Sequence, residues 1–324
     1  MDPRGNTAIT LSYDDQDRVT REVLADGATI SFNYVSDTET RVTDERSNTT
    51  VYKFNETGNP IEITDPLGRV TQSTWDANYN RTSSTDARDN TTTYEYDGSG
   101  NLIKTTDALG QETRYTYEPT FNQVATETDP DGFTTTYAYD GKGNPVRITD
   151  ALGKVTRMTY DGRGLLASTI DPLGNTTASA YDTAGNLIKS TDALGQEATM
   201  TYDGVGNLLS LTNARGNTTT FAYDGLNRQT KITDALGGVT ALGYDANGNR
   251  TQISDPRSNV TTFAYDSRNR LTKTTNPLGH TETRAYDAKG NLVAITDANG
   301  NTTSYTYDKA DQLTGRVESR FPCP

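Results

Sequence analysis

Aromatic residues mark this chain at a fixed interval. They stand at Tyr13, Tyr34, Phe54, Trp75, Tyr96, Tyr117, Tyr139, Tyr160, Tyr181, Tyr202, Tyr223, Tyr244, Tyr265, Tyr286 and Tyr307. The spacing is 21 residues, apart from 20 before Phe54 and 22 before Tyr139, and thirteen of the fifteen are followed by Asp or Glu. Self-similarity at a fixed period identifies a repeat array before any local reading. Within each unit, polar and apolar positions alternate. In TTTYEYD (91–97), Tyr94 and Tyr96 share one face and Thr93 and Glu95 the other, the period of two that marks a strand. Five further units place an aromatic two residues before the marker, at Phe32, Tyr52, Tyr115, Tyr137 and Tyr305. DGSGN (97–101) signals a hairpin turn, because Gly and Asn tolerate positive φ, and Asp-Gly recurs at Asp140, Asp161, Asp203 and Asp224. LIKTTD then reads as a return strand. A second turn follows in DALG, DPLG or NPLG, with Pro66, Pro172, Pro256 and Pro277 presetting φ. No unit reads as helix, since a Gly or Pro interrupts the chain roughly every ten residues.

Two strands per unit predict an all-β chain of about thirty antiparallel strands in a continuous meander. At roughly 4.8 Å per strand the sheet is about 140 Å wide. Open twisted sheets rarely exceed about ten strands, so this one is expected to curl into a curved, hollow, single-layer spiral shell. A closed ring of that width would be about 45 Å across. The alternative is a parallel β-helix solenoid, which would stack fifteen rungs into a rod about 70 Å long. It needs a filled interior, and each unit has too few apolar positions to provide one. Residues 1–315 read as a single array and 316–324 as a short irregular tail.

Composition supports a thin structure. Of 324 residues 32% are apolar and 28 are Gly, below the roughly 45–50% apolar share, Gly included, of ordinary globular domains. The 58 Thr and 19 Tyr suit a half-buried pleated surface. A net charge of −13 argues against a nucleic-acid partner, whose phosphates require clustered Lys and Arg. The one cysteine, Cys323, excludes an internal disulfide and a thiolate metal cluster. No apolar run matches a signal peptide or a bilayer-crossing helix, so the chain reads as soluble, without membrane insertion.

The recurring Y-x-Y-D-x-x-G-N-L followed by T-D-x-x-G, over residues 5 to 315, resembles the Rhs or YD repeat family. The resemblance implies a strip of β-hairpins spiralling into a hollow cocoon. Such shells occur in bacterial polymorphic toxins, in the cocoon component of insecticidal toxin complexes and in teneurin ectodomains. It implies a secreted or cell-surface location and a non-catalytic shell or scaffold, a fragment of a larger protein that encloses a toxin or other protein segment. The alternative is a cell-surface adhesin or carbohydrate-binding module. Toxin-branch members carry a plugging core region, an aspartyl self-cleavage site and a variable toxin after the repeats, and none is visible here. The DPLG copies at Asp65 and Asp171 are repeat turns, so cleavage is not carried onto them.

Candidate chemistry is sparse. His280, the single histidine, holds a turn position with no nucleophile or second base in its motif, so no triad is expected and the chain reads as a non-enzyme without cofactor or metal. Two Asp columns, Asp97, Asp140, Asp161, Asp182 and Asp203 and then Asp65, Asp107, Asp150, Asp192 and Asp234, could attract Ca²⁺, yet they match no calcium loop. Turn capping is sufficient reason for them. The Tyr ladder offers the candidate contact for cargo or sugar, at Tyr96, Tyr117, Tyr139, Tyr160, Tyr181, Tyr202 and Tyr223. The same rings are equally suited to packing on Leu102, Leu187, Leu208 and Leu292. Sequons at Asn90 and Asn217 arise from the repeat's NTT turn. Unpaired terminal strands predict edge-to-edge self-association, with Asp14, Asp15, Asp17, Arg18, Arg21 and Glu22 protecting the first edge and NTTSYTYD (301–308) leaving the last one open.

Overall fold

The structure, a computed structural model, describes residues 9–319. Thirty strands, β1 (Ile9–Tyr13) to β30 (Leu313–Ser319), form one antiparallel sheet with no helix among the described residues. The antiparallel ladders leave no place for the parallel solenoid. One unit shows the plan. β9 (Thr91–Tyr96) pairs with β10 (Leu102–Thr106), which pairs with β11 (Glu112–Tyr117). In hairpins closed by the first turn, such as that of β9 and β10, the register slips by one residue beside the marker. Tyr96 faces Leu102 but Glu95 faces Lys104, and the slip recurs at Tyr117↔Val124, Tyr139↔Pro145 and Tyr160↔Leu166. A bulge of this kind bends its strand and raises the local twist. Each such bulge bends its own hairpin.

No hydrophobic side chain among the described residues is buried. In β9 the Tyr94 and Tyr96 side is half-buried and the Thr93 and Glu95 side exposed, while every residue of β10 is half-buried. What replaces a core is cross-strand pairing. Facing threonines bond through their hydroxyls at Thr85 and Thr91, Thr128 and Thr134, Thr212 and Thr218, and Thr296 and Thr302, each 2.8 Å apart. These four pairs use eight of the 58 Thr.

Contacts divide the chain into two compact units, Thr74–Gly238 and a second made of the residues up to Ser73 with those from Val239 onward. Thr74–Gly238 carries β8 (Arg81–Thr85) through β22 (Gln229–Thr233), one hairpin after another. In the other unit, segments distant in sequence meet turn on turn. Arg268 Nε lies 2.8 Å from Asp26 Oδ2, and Lys289 Nζ 2.8 Å from Asp44 Oδ2 and 2.5 Å from Asp311 Oδ2. The Arg46 guanidinium pairs with Asp311 and donates to the Asp308 carbonyl at 3.1 Å, and Arg69 donates to Gln312 Oε1 at 3.1 Å. Burial pulls the Lys289 ammonium down, but its bonds to Asp311 and Asp44 outweigh that and hold its pKa above the ordinary value. These contacts form a polar seam.

The C-terminal edge differs from expectation. Residues 316–319, expected within an irregular tail, extend β30, which pairs with β29 (Thr302–Tyr307) from Tyr307↔Leu313 to Thr302↔Ser319. The turn between them lacks Gly, yet it closes because Asp311 adopts φ 62° and Asp308 N–H reaches the Gln312 carbonyl at 2.9 Å. Asp tolerates that conformation through local hydrogen bonding. Among the described residues the last strand of the sheet is therefore β30, carrying Arg316 and Glu318, rather than 301–308. Residues 320–324, with Cys323, lie outside the described residues.

Candidate functional site

The tyrosine ladder stands on the half-buried face, and each of its seven candidate residues has its hydroxyl committed. Each donates to a backbone carbonyl fifteen residues earlier, at the start of the preceding return strand. Tyr96 reaches Arg81 at 3.0 Å, Tyr117 reaches Leu102 at 2.8 Å, and Tyr139 reaches Val124 at 2.7 Å. Tyr160 bonds Pro145 at 2.9 Å, while Tyr181, Tyr202 and Tyr223 bond Leu166, Leu187 and Leu208, each at 3.0 Å. The register explains the position. The β10–β11 ladder runs from Thr106↔Glu112 to Lys104↔Arg114 and ends there. Beyond that point the strands part, and the Tyr117 hydroxyl spans the gap to the Leu102 carbonyl. Backbone carbonyls need a partner when water is partly excluded.

Phe54 shows the converse. β4 (Glu39–Thr43) and β5 (Thr49–Phe54) pair along their full length, from Thr43↔Thr49 to Glu39↔Lys53, and Phe54 N–H then bonds the Thr38 carbonyl at 2.9 Å. With the ladder complete, no hydroxyl is required and a phenyl ring serves. Burial pushes the phenols of Tyr96, Tyr117, Tyr139 and Tyr160 above their ordinary pKa. Leu102, Leu187, Leu208 and Leu292, read in the sequence as apolar partners of the ladder, contribute their carbonyls as well, Leu292 to Tyr307 at 3.1 Å.

The two Asp columns share one turn geometry. In DGSGN, Asp97 N–H bonds the Asn101 carbonyl at 2.9 Å and Gly100 N–H bonds the Asp97 carbonyl at 3.1 Å. Asp97 Oδ1 accepts from the N–H groups of Ser99 and Asn101, and Oδ2 accepts from the Asn101 amide at 2.9 Å. In DALGQ, Asp107 repeats these backbone bonds, and its Oδ1 accepts from Leu109 and Gln111. The positive φ falls on the fourth turn residue, 85° at Gly100 and 79° at Gly110. Gly98 of the Asp-Gly pair has no such requirement, so that dipeptide, prominent in the sequence, is not what sets the turn. The Asn101 bonds hold the Asp97 carboxyl below its ordinary value, and Asn144, Asn186 and Asn207 do the same for Asp140, Asp182 and Asp203. These carboxylates act as turn caps. His280 occupies the fifth position of the same turn, exposed, its N–H on Asn276 Oδ1 at 3.0 Å.

Sequence reading missed two features. Between neighbouring second turns a groove recurs in register. One of about 380 Å³ is lined by Glu127, Asp129, Phe133, Thr135 and Asp150–Leu152, and its counterpart 84 residues later, of about 470 Å³, by Leu211, Asn213, Asn217, Thr219 and Asp234–Leu236. Neighbouring first turns are joined by amides, as where Asn101 and Asn122 exchange bonds of 2.8 and 2.6 Å. Both arise from juxtaposition 20 to 23 residues apart, where alternation within one strand carries no signal.

Comparison with known proteins agrees with this geometry. The teneurin YD-shell family model matches residues 77–238, and the RHS repeat model matches residues 54–91, 244–281 and 286–320. Among solved structures, the TcdB2–TccC3–Cdc42 crystal structure is similar at 18% identity and a TM-score of 0.81, over 94% of this chain and 19% of that one. The TcdB2–TccC3 crystal structure without its hypervariable C-terminal region gives the same values. The Tc holotoxin pore of Photorhabdus luminescens aligns over 96% of this chain and 21% of that one, at 16% identity and a TM-score of 0.76. At such identities the likeness is one of fold, and this chain spans about a fifth of those chains. A comparison with curated proteins gives no match. With the repeat, the antiparallel hairpins and the family models in agreement, the chain belongs to the Rhs and YD-repeat family.

Proposed function

We propose that this chain is a non-catalytic wall, part of a larger shell that encloses a protein segment such as a toxin, and that it works outside the cell. The observation that carries the reading is a sheet of successive hairpins with no buried hydrophobic side chain among the described residues. A wall needs two accessible faces, whereas a globular enzyme needs a filled interior around its site. The similarity of fold to TcdB2–TccC3 assemblies supports it. In this reading Tyr96, Tyr117, Tyr139, Tyr160, Tyr181, Tyr202 and Tyr223 meet the enclosed chain through ring faces, because their hydroxyls are bound to the wall. The turn-capping role of the Asp columns and the exposed turn position of His280 support the non-catalytic reading.

The test is limited proteolysis of the product of the whole reading frame in which these residues stand. A segment that resists protease with the array intact, and is cut once the array is unfolded by mild urea, is the expected result. A surface anchor beside the array, with every flanking segment cut at once, would overturn enclosure and favour an adhesin.

A further inference from the structure

On the side of the sheet that carries Glu95, two cross-strand pairs set cations directly opposite each other. Lys104 of β10 faces Arg114 of β11, and Arg147 of β14 (Pro145–Thr149) faces Arg157 of β15 (Val155–Tyr160). Like charges so placed, with Cβ atoms about 5 Å apart, destabilise a sheet. The first pair is neutralised within the protein. Lys104 Nζ pairs with Glu95 and lies 3.3 Å from Glu112 Oε1, and the Arg114 guanidinium pairs with Glu112 as well. The second pair occupies the same place in the repeat, 43 residues on, and lacks both carboxylates. Ala138 stands in the position of Glu95, and Val155 in that of Glu112.

Both arginines are exposed, and neither guanidinium has an ion pair or hydrogen bond among the described residues. Their neighbours along and across the strands on that side, Thr136, Ala138, Thr149, Val155, Thr159 and Ile170, are uncharged. Lys53 and Lys189, on the same side, have Glu62 and Glu197 as partners. Arg147 and Arg157 thus form a doubly charged pair whose counterion must come from outside the chain.

We propose that Arg147 and Arg157 bind a tetrahedral oxyanion, a phosphate or sulfate group carried by a ligand. A guanidinium offers a planar fork of N–H donors that takes two oxygens at once. Two forks on adjacent strands match the oxygens of one tetrahedral group, whereas a carboxylate has oxygens for one fork only. The bound anion fills the role that Glu95 and Glu112 play two repeats earlier. A single pair in a chain of charge −13 does not suit a nucleic-acid backbone, which needs many phosphate contacts. It suits one phosphate or sulfate ester.

Calorimetric titration of the whole chain with phenyl phosphate and with phenyl sulfate, at neutral pH and low salt, tests this. Binding occurs at one site per chain, and the ester that binds more tightly identifies the source of the group. Arg157→Thr, which installs the residue that Thr93 and Thr136 supply at this position, weakens binding by about tenfold or more, the effect of losing a charge-assisted fork. Ala138→Glu with Val155→Glu rebuilds the surroundings of Lys104 and Arg114 and weakens binding as much, although both arginines remain. The same double variant raises the melting temperature of the unliganded protein. Circular dichroism stays unchanged in both variants, because Arg157 and Ala138 are exposed. Added salt weakens binding to the wild type, since exposed charges are screened. A wild type that binds neither ester would overturn the proposal, as would binding that both variants retain in full.

Discussion

The Tyr117 hydroxyl donates to the Leu102 carbonyl at 2.8 Å, tying the end of one hairpin to the start of the preceding return strand. The same bond joins Tyr160 to Pro145 and Tyr223 to Leu208. Tyr160→Phe therefore lowers stability by about 1 kcal/mol in urea denaturation, the usual net value of one hydrogen bond. Tyr160→Phe and Tyr223→Phe together add, because three repeats separate them by about 29 Å. Stability unchanged in both variants would mean that only the ring matters.

Asp97 and its counterparts predict acid sensitivity. Bonds to Asn101 depress the folded-state pKa of Asp97 below the ordinary 3.8. Asp76, Asp86, Asp171 and Asp297 are depressed in the same way by Asn80, Asn90, Asn175 and Asn301. A carboxyl whose folded pKa is lowered contributes stability that is full above its unfolded value and lost as pH falls through the folded one. The melting temperature is thus flat from neutral pH to about 5 and falls steeply below about 4. Because the same oxygens already accept turn N–H groups, chelation of divalent ions leaves the melting curve in place. A large stabilisation by millimolar Ca²⁺, absent with Mg²⁺, would contradict this.

Tyr79 sits at φ 66° in the turn position that Gly fills in most repeats, and its ring is exposed. A left-handed conformation costs a non-glycine residue roughly 1–2 kcal/mol. Tyr79→Gly accordingly stabilises the protein, by about 1 kcal/mol after the added freedom of the unfolded chain is counted. Gly143→Ala does the opposite, since φ is 84° there and the added methyl would lie 3.2 Å from the Phe121 ring. Equal melting temperatures for both variants and the wild type would refute the strain.

The seam predicts a measurable coupling. Asp44 and Lys289, 2.8 Å apart and partly buried, yield about 1 kcal/mol in a double-mutant cycle with Asp44→Ala and Lys289→Ala. High salt reduces that coupling without removing it, because the pair is shielded from solvent. A coupling near zero would mean that the seam is geometric contact without energetic weight.

Much of this protein was legible in its sequence, and the reason is the range of the forces involved. Strand alternation at Tyr94–Tyr96, the turn at Asp97–Asn101 and the return strand at Leu102 are decided within one 21-residue unit, by pleat geometry and local hydrogen bonds. Those rules repeat fifteen times, so periodicity reports them directly, and the antiparallel order follows from turns too short for a crossover. The Tyr bond to a carbonyl fifteen residues back was hidden, because it depends on where the preceding ladder stops and not on residue type. β30 was hidden as well, since Asp311 takes a conformation that the Gly signature does not advertise. The meeting of Asp44 with Lys289 belongs wholly to tertiary structure. It brings turns 245 residues apart within hydrogen-bonding distance, and no single repeat carries a mark of a partner so far along the chain.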